Sequence, residues 1–420
     1  MLRFLLSPSG TSGDVHPYLA IGCELKRRGH EVFLLTNPAY EEVARQHSLD
    51  FVPIGEGLDW SELRSDARIH SSSQAWKAAM QWGATGTMRE VFAAVRQLDR
   101  PGQTAIAAPA WNLGARIARE ALSVPLATLV INPFLFRSVY QSPITPQMYL
   151  PSWMPRWMKS FQYWFGDAFY VEPLIGRSLR EFRNELGLPK VTRWMNRWWF
   201  SPDLLLALFN EVYAPRQPDW PSHIEFVGHT ATDPEGDRSI NAGVQQFLDA
   251  GSPPICFVPG SVGPGSKSYY DTAIEACTEL GVRGLILDKT DHGFQPLTPS
   301  MFHASYSPLR SVLPKCRAIA HSGCAGTATQ GLLAGIPHLI RPCVNDQPDV
   351  AQRLHRLGVA EIISTKQFKT AAVVQKLLAL IDNKEIALRC REVQSVVARD
   401  NAVNTICNRL EQLVLTAKFN

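Results

Sequence analysis

Short apolar runs alternate with helix-patterned segments twice along this chain, and that alternation limits the fold more than any other feature. Leu2–Ser7, Glu31–Thr36 and Phe51–Ile54 read as strands. Between them, Pro17–Arg28 and Ala39–His47 read as helices. The first has Leu19, Ala20, Cys23 and Leu25 on one face and Gly29 as its C-terminal cap. Thr104–Ala108 (strand), Leu113–Ala121 (helix) and Leu126–Ile131 (strand) resume the pattern, and Leu204–Phe209 adds a last strand. The alternation then restarts. Ile255–Val258, Gly284–Leu287, Ala318–Ala320 and His338–Arg341 read as strands, and Tyr269–Leu280, Thr327–Ala334 and Val350–Leu357 as helices. Phe368–Ile381, Ile386–Val397 and Ala402–Ala417 are further helices. Strands separated by helices pair in parallel through right-handed βαβ crossovers. The expected class is therefore α/β, with two doubly wound, Rossmann-like domains facing a central cleft. The ligand is expected beyond the carboxyl ends of the strands. The expected division is an acceptor-side domain at 1–215, a linker at 216–240, a second α/β domain at 241–400, and a closing helix at 401–420 that is a candidate for packing back on the first domain.

Composition removes several classes. At 420 residues, with 45% hydrophobic and 19% charged, the chain is long enough for two buried cores and too apolar to be disordered. A formal net charge of +4 is too weak to suggest a nucleic-acid partner. Leu2–Leu6 is too short for a signal-peptide core, and no uninterrupted apolar run approaches the ~18 residues of a membrane span. The eight cysteines are scattered, with no CxxC pair, which suggests neither a zinc site nor a disulfide framework. Reduced thiols in a cytoplasmic protein are expected.

Residues 133–200 break the pattern. Six of the eleven tryptophans lie here: Trp153, Trp157, Trp164, Trp194, Trp198 and Trp199. Between 153 and 199 there are eight Lys or Arg against four Asp or Glu. Three readings stay open: core aromatics, an apolar acceptor pocket, or a patch at the inner membrane surface.

Four turns carry candidate chemistry. Ser9-Gly10-Thr11-Ser12-Gly13-Asp14 follows the first strand and is not GxGxxG, which disfavours a nicotinamide cofactor. Asp14 and His16 are candidate bases there, with helix capping the alternative for Asp14. His321-Ser322-Gly323-Cys324-Ala325-Gly326-Thr327 links a strand to a helix and can offer backbone amides to a diphosphate. Gly260-Ser261 is a second small-residue turn on the same edge. Pro342-Cys343-Val344-Asn345-Asp346-Gln347 also joins strand to helix. Its Asp and Gln can bind vicinal hydroxyls, with capping by Asn345 or Asp346 the alternative.

Together these residues resemble the family 1 glycosyltransferases of GT-B fold. Tyr306-Ser-Pro308, His321-x-Gly323-x-x-Gly326-Thr327, Gly335-Ile-Pro337 and Asp346-Gln347 occur in the family's order, and Gly13-Asp14-Val-His-Pro17 is similar to a bacterial variant. Gln217-Pro-Asp219-Trp220-Pro221 and Phe247-Leu-Asp-Ala-Gly251-Ser252 look most like the bacterial rhamnosyltransferases of the rhamnolipid type.

The resemblance implies an inverting, metal-independent hexosyltransferase with no cofactor beyond its nucleotide-sugar co-substrate. Asp14 would be the base, and no orienting carboxylate stands around Pro109–Asn112. Tyr306 would stack on the nucleobase. Either His321 or Ser322, with Gly323, Gly326 and Thr327, would meet the diphosphate, Gly260 and Ser261 would line the donor site, Gln330 would meet the ribose, and Asp346 with Gln347 the sugar. Rhamnose on thymidine diphosphate follows from the nearer resemblance, and glucose on uridine diphosphate from the wider family. The expected acceptor is an apolar alcohol such as a hydroxylated lipid, lined by His16, Trp111, Phe134 and Phe136. A nucleotide-sugar epimerase of the same fold, or a non-catalytic nucleotide- or lipid-binding relative, is the alternative.

Overall fold

The structure, a computed structural model, describes residues 1–56, 74, 77–78, 80–145, 148, 150–230, 240–259, 267–288 and 299–417. The described strands form two sheets, both parallel throughout. The first runs β3-β2-β1-β4-β5-β6-β7, built from β1 (Arg3–Leu6), β2 (Glu31–Thr36), β3 (Asp50–Pro53), β4 (Thr104–Ala108), β5 (Leu126–Val130), β6 (Leu204–Ala207) and β7 (Ile224–Phe226). The second runs β10-β9-β8-β11-β12-β13, built from β8 (Ile255–Val258), β9 (Gly284–Leu287), β10 (Met301–Ala304), β11 (Ala318–His321), β12 (His338–Ile340) and β13 (Ala360–Ile362). Each chain half starts in mid-sheet, winds to one edge and returns to build the other, which leaves a switch point at β1/β4 and at β8/β11. β4, β5 and β6 are buried at every position, as strands covered by helices on both faces must be.

Three expectations change. The first helix spans Ser12–Arg27, starting well before Pro17. Thr11 and Asp14 close a capping interaction there, and Pro17 sits inside the helix, where its missing N–H leaves the Gly13 carbonyl without a helical partner. Part of the expected linker is β7, hydrogen-bonded to β6, so the first sheet reaches Phe226. The Trp-rich stretch is largely helical, over Arg156–Gly166, a π-helical turn Asp167–Gly176, and Arg177–Glu185.

That stretch also splits in burial. Trp194, Trp198 and Trp199 belong to the core between the first sheet and its helices. Trp198 Nε1 donates to Glu120 Oε1 at 2.6 Å, and the Arg116 and Arg183 guanidinium groups lie 4.8 and 4.9 Å from its ring. Trp153, Trp157 and Trp164 are exposed.

The last helix, Ala402–Ala417, buries Ile406, Cys407 and Leu410 against Tyr18, Ile21 and Leu25 of the first helix. Arg28 Nη2 donates to Asn404 Oδ1 at 2.9 Å, and Arg409 Nε to Glu225 Oε2 at 2.7 Å. The two halves also meet through acids at their boundary. Asp400 accepts from Asn210 Nδ2 and from His229 N, both at 3.1 Å. Asp349 accepts from Ile144 N at 3.0 Å while holding Arg353 at 2.6 Å.

Candidate active site

The loop after β1 is braced from three sides. Asn112 Nδ2 donates to the Ser7 carbonyl at 2.9 Å and to Ser7 Oγ at 2.8 Å, while its Oδ1 caps the helix Leu113–Leu122 through Ala115 N. Trp111 Nε1 donates to the Ser9 carbonyl at 3.3 Å, and Thr36 Oγ1 to the Pro8 carbonyl at 3.1 Å. Gly10, at φ +131°, turns this loop under Asp14, where a side chain would collide with the carboxylate.

Asp14 is half-buried in the first turn of its helix. Its Oδ2 accepts from Thr11 N at 2.8 Å and Thr11 Oγ1 at 3.1 Å, leaving Oδ1 without a hydrogen-bond partner among the described residues. Burial pushes its pKa up to about 6, against the opposing pull of the Thr11 bonds. The side chain is thus a capping group, yet its charge reaches across the cleft to Asp346 and Cys324.

Asp346 comes from the other half, between β12 and the helix Gln347–Arg356. It occupies the N-cap position but makes no side-chain cap. Its Oδ2 accepts from Asn132 Nδ2 at 2.7 Å, and Asn132 follows β5 of the first sheet. Burial, then the negative charge of Asp14, raises the Asp346 pKa to about 7. Two carboxyls from opposite sheets therefore share one cleft, and Asn132 ties one of them across it. No sequence motif singled out Asn132. Its place just past the carboxyl end of a central strand, ahead of Pro133, is the signal that could have found it.

The helix Ala325–Ala334 starts beside them. Its first amides have no intrahelical acceptor, and the first ladder bond runs from Ala328 N to Cys324 O. Gly326 is exposed, and an added Cβ there would meet nothing within 4 Å. Gly323, at φ +94°, lies so close that a Cβ would fall 3.0 Å from the Gln347 carbonyl.

The side chains of the turn point elsewhere. His321 is 2% exposed, its Nδ1 accepts from Gly323 N at 3.1 Å, and its Nε2 meets His338 Nδ1 at 3.0 Å. Burial, and then the neighbouring His338, depresses the His321 pKa well below the ordinary imidazole value, which keeps the ring neutral. Ser322 is buried with Oγ 3.4 Å from Cys324 Sγ, whose thiol burial holds up at about 11. Backbone amides, with Thr327 half-buried behind them, are what this terminus offers.

Gln347 is buried too. Its Oε1 accepts from Cys343 N at 2.8 Å and Val344 N at 3.2 Å, tying down a loop in which Asn345 adopts φ +52°. Gln330 is buried within its helix, while Tyr306 is half-buried. Gly260 and Ser261 lie outside the described residues.

Of the residues expected to line an acceptor site, His16, Trp111 and Phe134 are half-buried near the loops after β1, β4 and β5. Phe136 is placed differently. It is fully buried, 5.1 Å from the Phe200 ring and 5.0 Å from Trp220, so it packs the core instead of facing the cleft.

Twin doubly wound sheets that meet at their carboxyl ends, with an acid from one facing a helix terminus from the other, define a two-domain transferase of GT-B fold. The comparisons agree. Residues 4–141 match the glycosyltransferase family 28 N-terminal domain, and residues 285–413 match the erythromycin biosynthesis protein CIII-like C-terminal domain. An uncharacterised glycosyltransferase of Mycobacterium leprae (strain TN) is 27% identical, covering 98% of this chain and 96% of its own. The glycotransferase of kitacinnamycin superposes with a TM-score of 0.76 at 18% identity, over 98% of this chain and 99% of that one. The glycosyltransferase VinC, solved in complex with dTDP, superposes with a TM-score of 0.72 at 16% identity, over 98% and 99% of the chains. The chain is a glycosyltransferase of the GT-B type.

Proposed function

We propose that the protein moves a hexose from a nucleoside diphosphate to the hydroxyl of an apolar acceptor, with inversion and without a metal. The observation that carries this reading is Asp14 facing Asp346 and the amide-rich start of Ala325–Ala334 across one cleft. Asp14 Oδ1 takes the acceptor proton as the acceptor oxygen attacks the anomeric carbon. The bond from that carbon to the diphosphate breaks, and its electron pair leaves with the nucleoside diphosphate. A carboxyl with a pKa of about 6 is mostly ionised at pH 7 while still basic enough to accept a proton. The amides of Ala325, Gly326 and Thr327 receive the developing charge without reorganising. Asp346 orients the sugar, Gln347 holds the loop that carries Asp346, and Tyr306 supplies a face for the base.

Thymidine diphosphate is the favoured nucleotide, supported by the VinC complex, and rhamnose the favoured sugar, supported by the motif likeness. Uridine diphosphate glucose is the second choice. The half-buried Trp111 against the Asp14 loop, with Phe134 half-buried after β5, supports an apolar acceptor. The test is binding and slow hydrolysis of a panel of nucleotide sugars by the purified protein with chelator present. One donor bound tightly and hydrolysed supports the proposal and names the sugar. A folded protein that binds none refutes it, and strict dependence on a divalent cation refutes the mechanism.

A further inference from the structure

The outer face of Arg156–Gly166 and of the π-helical turn after it is aromatic and uncovered. Trp153, Trp157, Phe161, Trp164, Phe165 and Phe169 are each 42–71% exposed. Positions 157, 161 and 165 recur every fourth residue of the helix, which sets them along one face with Trp164 beside it, while Trp153 lies in the turn before the helix and Phe169 in the π-helical turn after it. The rings touch: Phe161–Trp164 centroids lie 5.6 Å apart, Trp164–Phe169 6.2 Å and Phe165–Phe169 4.6 Å. At about 200 Å² per aromatic side chain, the six expose on the order of 700 Å². The largest apolar patch on an ordinary monomer is about 300–600 Å².

Charge and polarity narrow what covers it. Among the described residues from 150 to 170, Arg156 is the one exposed charged side chain. Lys159 is buried, with Nζ 3.4 Å from the Val139 carbonyl, and Asp167 turns inward onto Arg137 at 2.6 Å. Arg156 lies 4.1 Å over the ring of Tyr140, itself exposed at the edge of the stripe. A protein interface of this size needs a hydrogen bond for roughly every 100–200 Å². Between the aromatic rings this face offers little beyond Ser160. Trp and Phe with Tyr at the rim, one cation and no exposed acid match a helix lying in a bilayer interface.

We propose that this face docks on the surface of a bilayer containing anionic lipid, its rings at the headgroup–acyl boundary and Arg156 on the headgroups. The face is tied to the cleft: Tyr163 Oη donates to the Ser138 carbonyl at 3.3 Å, on the loop that begins at Asn132. Among the described residues, no helix is long and apolar enough to cross a membrane.

The test is cosedimentation of the full chain with vesicles of phosphatidylcholine alone or with phosphatidylglycerol, alongside tryptophan emission. The wild type should pellet with the anionic vesicles and its emission should shift to the blue. The triple variant Trp157→Ser, Phe161→Ser, Phe165→Ser should partition at least tenfold less, with an unchanged circular dichroism spectrum. Arg156→Glu should reduce the preference for anionic vesicles with the stripe intact. A wild type that stays in the supernatant with both vesicle types overturns the proposal. So does concentration-dependent self-association that the triple variant abolishes while vesicle binding is absent, which would make the stripe an interface between copies of this chain.

Discussion

Replacing Asp14 with Asn separates the two roles the structure allows it, because Asn keeps the cap and removes the base. The carboxyl has a pKa raised from 3.8 to about 6 by burial. Its folded form therefore binds protons more tightly than the unfolded chain does, and stability is lost as pH rises from about 4 through 6. At pH 8 the ionised side chain costs on the order of 3 kcal/mol relative to its neutral form. Asn is neutral, keeps an oxygen for Thr11 N and Thr11 Oγ1, and should recover much of that cost. The expected variant is more stable than the wild type by about 1–3 kcal/mol at pH 8, with the gain fading towards pH 4. Its transfer rate should fall by about 10²–10⁴ with donor binding retained. A group serving only as a helix cap would behave otherwise. Asn caps a helix about as well as Asp does, so in that case activity should survive the substitution. Urea denaturation of both proteins at pH 8 and pH 4, with initial rates at pH 8, decides the matter. A fully active Asp14→Asn variant refutes the base assignment. Equal stability at both pH values refutes burial as the source of the shift.

The acid limb of kcat/KM should lie near pH 6, set by ionisation of Asp14, with Asp346 titrating near 7 in the free enzyme; a rate flat between pH 5 and 8 contradicts this. Asn132→Ala removes the donor that favours the ionised Asp346. It should raise the pKa of that carboxyl and weaken donor binding, seen as a higher KM with a smaller change in kcat. Gly326→Ala should fold like the wild type, because nothing lies within 4 Å of the added Cβ, yet lose donor affinity measured by calorimetry. Gly323→Ala should instead cost about 1–3 kcal/mol in stability, from a positive φ and a Cβ 3.0 Å from the Gln347 carbonyl. Trp198→Ala empties a packed site between two guanidinium groups and removes one of the donors to Glu120. A loss of about 3–5 kcal/mol is expected, and a change under 1 kcal/mol argues against its core placement.

The parallel sheets were legible because their strands are covered on both faces. β2, β4 and β8 are plain apolar runs, and their ends fall where the sequence placed them. β10 and β13 escaped because short edge strands such as Ala360–Ile362 leave no period to detect. The helix Arg156–Gly166 escaped for the opposite reason. Amphipathic patterning assumes a polar solvent face, and here Trp157, Phe161, Trp164 and Phe165 occupy it. The property that hid the helix is the one that marks it as a docking surface.

The site was legible in its residue types and less so in its directions. Sequence placed His321 and Ser322 at the helix terminus but could not show that His321 turns away from it to meet His338, seventeen residues on in the next strand. Nor could it show that Gln347 spends its carbonyl oxygen on its own loop. Each of these side chains could satisfy either a ligand or the protein, and local sequence does not distinguish the two. Burial does. Groups buried with protein partners, such as His321 and Gln347, hold the backbone in place. Those whose pKa burial raises while one oxygen stays open to the cleft, Asp14 above all, are held at a cost in stability that structure alone does not repay. A glycosyltransferase needs a carboxyl of that kind at the acceptor hydroxyl, and the Asn substitution measures both its cost and its use in a single protein.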